Sequence, residues 1–158
     1  MYHPGMYHHR KADKDPASKI KLPRRSIDQK TYAELIKILD REFSVFRRMI
    51  AIRGGVVRCA TCGTWADWKD MDLGHYITRA IHATRFEVMN TAVQCRKCNR
   101  FMGGMTHALR EHLVEIYGEQ AIKELEQRSK MGNVWTAELL REKILYYRER
   151  NARLRKEL

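Results

Sequence analysis

The chain has 158 residues, enough for one domain with its own core and short extensions. Thirty-one Lys and Arg against nineteen Asp and Glu leave a formal charge of +12, so a polyanion is the first partner to consider. No apolar run approaches the roughly 18–20 residues that span a bilayer, and the opening MYHPGMYHHRK lacks the apolar centre of a secretory signal; nucleic acid is favoured over a membrane surface, and the cysteines are expected to see a reducing compartment.

Residues 1–26 hold all three prolines and many His, Lys and Arg with few apolar side chains. They cannot bury enough surface to offset their ordering entropy and read as a flexible basic arm. Residues 27–158 read as a single domain, with an N-terminal helix within 27–53, a core over 56–117 and C-terminal helices over 119–158. Ser26 and Gln29 form a capping-box pattern. After it Tyr32, Leu35, Ile36, Leu39, Phe43, Phe46 and Ile50 recur at helical spacing, which predicts a helix from about 28 to 52 that stops at Gly54-Gly55.

The stretch VVRCATCGTWADWKDMDLGHYITR is β-branched and aromatic, with Gly63 and Gly74 as turn points, and predicts hairpins. Trp65 and Trp68 flank the first cysteine pair and are expected to pack against it. Helices are predicted over 106–117, over 119–129 and from 136 to the C-terminus. On the last, Leu140, Ile144, Tyr147 and Leu154 mark an apolar stripe suited to core or dimer contact, while Arg148, Arg150, Arg153, Arg155 and Lys156 read as a solvated face. There is no internal repeat.

Cys59-Ala-Thr-Cys62 and Cys95-Arg-Lys-Cys98 lie 32 residues apart (63–94). Each CxxC turn converges two thiolates, and two turns complete a closed tetrahedral zinc site, which is structural. A redox role fits less well, since neither pair follows a strand-to-helix redox pattern. The separation exceeds the usual zinc-ribbon spacing of about 15–20 residues, so something folded lies between the pairs.

That insertion holds His75, preceded by Asp70 and Asp72 and followed by Asn90, with Asn99 directly after the last cysteine. A lone histidine on a strand is more often a surface or core residue than a catalyst; this company changes the reading. The pattern resembles the HNH endonucleases, whose ββα-metal motif sets a general-base histidine on a hairpin, an asparagine in the connection and a metal ligand on the helix. The cysteines followed by Asn99 are similar to those of phage recombination endonuclease VII. The segments LDREFSVFRRMIAIRGG, CATCGTWADWKDMDLGHYITR, TRFEVMNTAVQCRKCNRFMGG and LVEIYG with the Tyr-rich last helix resemble the NinG, or Rap, family of phage recombination proteins over roughly residues 36–150.

The resemblance implies an α+β fold: a ββα-metal (HNH) core with a pair of knuckles that together form one four-cysteine zinc site, flanked by N- and C-terminal helices. It implies a structure-specific DNA endonuclease that cuts branched recombination intermediates, Holliday junctions and D-loops, in the cytoplasm of a bacterial host of a phage or prophage. His75 would be the general base, its unperturbed pKa near 6.5 suiting it to deprotonate water at neutral pH. A catalytic Mg²⁺ or Mn²⁺ would take oxygen from Asn99 and Asp72, and Asn90 would hydrogen-bond the backbone around His75. In many HNH enzymes the acidic ligand immediately precedes the histidine; here that position is Gly74, and Asp72 shares its strand face. Arg79 and Arg85 would clamp the scissile phosphate, against a surface role or an ion pair with Glu87. His82, His107 and His112 have no matching partners. Two strands to cut imply a homodimer, with the first and last helices as candidate interfaces. Two other readings compete: a non-catalytic zinc-containing nucleic-acid-binding protein, and a general HNH nicking nuclease indifferent to branches.

Overall fold

Thr31 and Glu34 decide where the first helix begins. In the computed structural model, which describes residues 25–158, the Glu34 N–H donates to the Thr31 hydroxyl and the Thr31 N–H to the Glu34 carboxylate, at 3.3 and 2.8 Å. This capping box opens α1, Tyr32–Met49. The capping box at Ser26 and Gln29 also forms, but it closes a separate 3₁₀ turn, Ile27–Gln29, and Lys30 is extended. The helix predicted from 28 to 52 is therefore shorter at both ends. The arm expected over 1–26 lies, apart from Arg25 and Ser26, outside the described residues.

The remaining helices are α2 (Thr106–Tyr117), α3 (Glu119–Arg128) and α4 (Ala137–Glu157), close to the predicted spans. Thr136 caps α4 by accepting from the Leu139 N–H. Leu140 and Ile144 of α4 are fully buried against Leu35, Ile36, Leu39 and Phe43 of α1, with Phe86 completing the cluster. Phe43 stands edge-on to both Phe86 and Tyr147. Asn151 continues the seam as a buried polar group, its amide donating to the Glu42 carbonyl and carboxylate at 3.0 and 3.2 Å. The apolar stripe of α4 is thus core of its own chain. Of the two contacts to which the stripe is suited, core and dimer, it makes the first, because the apolar faces of α1 and α4 cover one another.

Between α1 and α2 lie two antiparallel two-stranded sheets. β1 (Val57–Arg58) and β2 (Trp65–Ala66) flank the first cysteine turn. β3 (Met71–His75) pairs with β4 (Thr91–Cys95) from Met71 opposite Cys95 to His75 opposite Thr91. Gly74, expected at a turn, sits inside β3. Val57, Met71 and Val93 pack with Cys59 and Cys98 in a second cluster, and Leu109, Leu113, Ile122 and Leu125 of α2 and α3 form a third with Ala92. Trp68 packs on the second cluster beneath the Arg48 guanidinium. Trp65, expected to pack there too, is more than half exposed. The chain is α+β, and among the described residues no helix is long and apolar enough to cross a membrane.

Candidate functional site

The two cysteine pairs, distant in sequence, are joined because β1–β2 carries one and the end of β4 the other. All four sulfurs lie within 4.8 Å of one another, and Cys62 Sγ is 3.8 Å from Cys95 Sγ. Four thiolates about 2.3 Å from a tetrahedral zinc would stand roughly 3.8 Å apart, so the set could hold a metal ion such as zinc. Burial works against ionising Cys59, but hydrogen bonds from the Thr61 hydroxyl and the N–H groups of Cys62, Cys95 and Thr61 outweigh it and bring its thiol down to about 6. Burial pushes Cys98 up to about 12. A bound cation would let both be thiolates at once.

Beside this cluster is a cavity of about 580 Å³ lined by Asp72, His75, Arg79, Asn99, Arg100 and the Gly103-Gly104 turn, with Ser44 of α1 on its far wall. Four residues singled out from sequence, Asp72, His75, Arg79 and Asn99, share it.

His75 closes β3 and is mostly buried. Its Nε2 lies 3.0 Å from the Arg85 carbonyl oxygen, which can only accept, so Nε2 carries the proton and Nδ1 holds the lone pair. Among the described residues Nδ1 makes no hydrogen bond of normal geometry, although the Leu73 carbonyl also faces the ring. Burial above all, with the Arg79 charge, pushes the imidazole down to about 4; the Arg85 and Leu73 carbonyls and the Asp40 charge pull the other way. At neutral pH the ring is an uncharged base.

Asn90 is fully buried at the end of the connection between β3 and β4. Its Oδ1 accepts from the Ile77 N–H at 2.7 Å, and its Nδ2 donates to the carbonyls of Ile77 and Thr84, each at 3.0 Å. One amide thus ties the start of the connection, two residues past His75, to its end.

Asp72 accepts from Nε and Nη2 of the Arg100 guanidinium, at 2.6 and 2.7 Å, and from the Asn99 amide at 3.1 Å. Arg100, then Asn99, hold its carboxyl below the usual range. Asn99 is half-buried; with Nδ2 on Asp72, its Oδ1 is left without a hydrogen bond among the described residues. Arg100 went unremarked in the sequence, where it reads as one more cation in RKCNRF; only its position one residue past Asn99 marks it.

Arg85 is placed differently from the expected phosphate clamp. Its guanidinium is held by Asp40 of α1 at 2.9 and 2.5 Å and by the Arg79 carbonyl, away from the cavity lining. Its ion pair is with Asp40 and not Glu87, which binds Arg128 instead. The pair fixes the backbone carbonyl that orients His75. Asp40 could not be found from sequence, because it is one polar position on a helix 45 residues away.

Gly74 has a steric reason. A Cβ there would lie 2.0 Å from Gln94 Oε1. Gln94 is fully buried, and its Nε2 donates to the Gly104 carbonyl at 2.8 Å and faces the Thr61 hydroxyl at 3.3 Å. It therefore couples the cavity's glycine turn to the cysteine site, and position 74 has no room for a side chain.

Over 83 residues the chain is 35% identical to Protein ninG of Escherichia phage 933W and of Escherichia phage lambda, and 37% identical to that of Salmonella phage P22. Each match covers 51% of this chain and 39% of the relative, so the aligned part is about two fifths of those proteins. No solved structure matches the chain. The family described as Bacteriophage Lambda NinG protein matches residues 6–157, almost the whole length, and the chain belongs to the NinG family.

Proposed function

We propose that the protein is a DNA endonuclease that cuts branched recombination intermediates by metal-dependent phosphodiester hydrolysis, using a ββα-metal (HNH) site. The observation that carries this reading is His75: a neutral, tautomer-locked imidazole with its Nδ1 lone pair unspent, in one cavity with Asp72 and Asn99. β3, β4 and the helical turn Lys97–Phe101 that bears Asn99 supply the two strands and the helical segment that such a site needs.

In this mechanism Nδ1 of His75 takes a proton from the attacking water, while Nε2–H stays on the Arg85 carbonyl. Burial that keeps the ring neutral also makes it a weaker base than the unperturbed imidazole expected from sequence, and the same burial favours passing the proton on. Asp72 and Asn99 Oδ1 fit a hard divalent cation, Mg²⁺ or Mn²⁺, which would neutralise charge on the phosphate and the departing 3′-oxygen. Asp72 is now paired to Arg100, whose side chain is 58% exposed and free to swing onto a phosphate instead. Arg79 supplies a further cation to the same cavity. Asn90 holds the connection that presents His75. The thiolate site is scaffold.

The charge of +12 supports a nucleic-acid partner. Cutting two strands across a junction calls for two such sites, hence a homodimer on branched DNA. The test is cleavage of four-way, flap, linear duplex and single-stranded DNA with Mg²⁺ or Mn²⁺, beside His75→Ala and Asn99→Ala. Both variants should bind the junction and cut nothing. Equal cutting by wild type and His75→Ala would end the mechanism, binding without cutting would leave a DNA-binding zinc protein, and equal cutting of duplex and junction would leave a general nicking nuclease.

A further inference from the structure

Phe101 is 82% exposed, and its neighbour Met102 is 48% exposed. Exposing two adjacent large apolar side chains costs solvation with no gain in the fold. They sit on the rim of the His75 cavity, between Asn99-Arg100 and Gly103-Gly104, both of which line it. The tip they form is held in place. Gly103, Gly104 and Met105 are three successive left-handed residues (φ 60°, 76° and 45°) that reverse the chain into α2, a strained run for the non-glycine Met105. From the buried side Gln94 grips the Gly104 carbonyl at 2.8 Å. Cations lie nearby: Arg96 and Arg100, paired with Asp70 and Asp72, and Lys97 precede the tip, and Arg79 lines the cavity.

We infer that Phe101, backed by Met102, is a wedge that stacks on an unpaired or unstacked base at the branch of the DNA, seating the adjoining phosphate in the His75 cavity. This rests on the reading of the protein as a branched-DNA endonuclease and names what recognises the branch. Apolar side chains among cations match a base beside its phosphate, the combination used by proteins that open base steps. Two side chains fall far short of the roughly 800 Å² per partner of a stable protein interface. A continuous duplex offers no free base face, so the wedge acts only at a branch.

The test is binding of the full-length, zinc-loaded protein, without added Mg²⁺ or Mn²⁺, to a four-way junction and a linear duplex carrying 2-aminopurine at the branch position and its duplex equivalent. Wild type should raise 2-aminopurine fluorescence on the junction and not on the duplex. Phe101→Ala should abolish the rise and weaken junction binding about 5- to 150-fold, the range expected for one lost base stack, with duplex affinity within about twofold. Phe101→Trp should restore junction affinity. Phe101→Ala equal to wild type on the junction, or equally weakened on both DNAs, would overturn the wedge; so would a fall in mass of the free protein by light scattering, which would assign Phe101 to a contact between copies. Failure of wild type to bind either DNA would instead remove the functional reading itself, and cutting plays no part in the readout.

Discussion

Replacing Gly74 by alanine tests the packing that joins the two sites. The new methyl would fall 2.0 Å from Gln94 Oε1, 2.7 Å from Cδ and 3.1 Å from Cγ, so the Gln94 side chain must leave its place. Gln94 is fully buried and cannot move into solvent. Displacement strains the core and loosens its bonds to Gly104 and Thr61. Overpacking of about 1–3 kcal/mol plus about 0.5–1.5 kcal/mol for each of the two weakened bonds, less the backbone entropy that alanine saves over glycine, leaves a loss of about 1–5 kcal/mol, centred near 3. For a chain of this length the central value lowers Tm by about 6–12 °C. The assay is thermal and urea unfolding at one fixed zinc concentration of Gly74→Ala, Gln94→Ala and the double variant. The double variant should be more stable than the sum of the single losses predicts, because alanine at 94 vacates the space that the methyl needs. A Tm for Gly74→Ala within about 2 °C of wild type, or strict additivity in the cycle, would refute the reasoning.

The remaining predictions concern charge and metal. The folded-state pKa of His75, about 4, lies below the unfolded value near 6.5, so the unfolded chain binds the extra proton first; stability falls as pH drops from about 6.5 to about 4, by about 3 kcal/mol, and is flat for this group outside that window. Urea unfolding across pH 4–7 measures it, and His75→Gln should remove that part of the slope. Wild-type protein should contain one zinc per chain by elemental analysis, and Cys59→Ser or a strong chelator should release it and collapse the second apolar cluster, seen as a large drop in Tm; an unchanged melt after verified metal removal would contradict a structural site. Arg85→Ala strands the Asp40 carboxylate and should cost about 3 kcal/mol of stability. Arg79→Ala should leave Tm unchanged while reducing the log–log salt slope of DNA binding by about 0.9; the reverse pattern would exchange the two assignments.

Much of the architecture is legible in the chain itself because it depends on local periodicity. The apolar spacing of α1, the stripe of Leu140 and Ile144 and the Thr136 cap of α4 each act within a few residues. The misplaced start of α1 has a local cause too: two capping boxes, at Ser26 and at Thr31, lie five residues apart, and the extended Lys30 between them assigns the first to a turn. The paired CxxC turns are equally readable, since one tetrahedral ion can gather four thiolates whatever lies between them. These are properties of side-chain chemistry at fixed short spacing, and the sequence by itself determined them. The environment around His75 is of another kind. Which nitrogen carries its proton depends on the Arg85 carbonyl, whose position depends on Asp40; why position 74 has no room for a side chain depends on Gln94, twenty residues away. Whether Arg85 meets a phosphate or a carboxylate, and whether α4's stripe meets its own chain or another, are decided by distances between segments remote in sequence. No local pattern encodes those distances. The tertiary structure alone decided them, because low-dielectric burial and close packing let one neighbour at hydrogen-bond range change the role of a side chain.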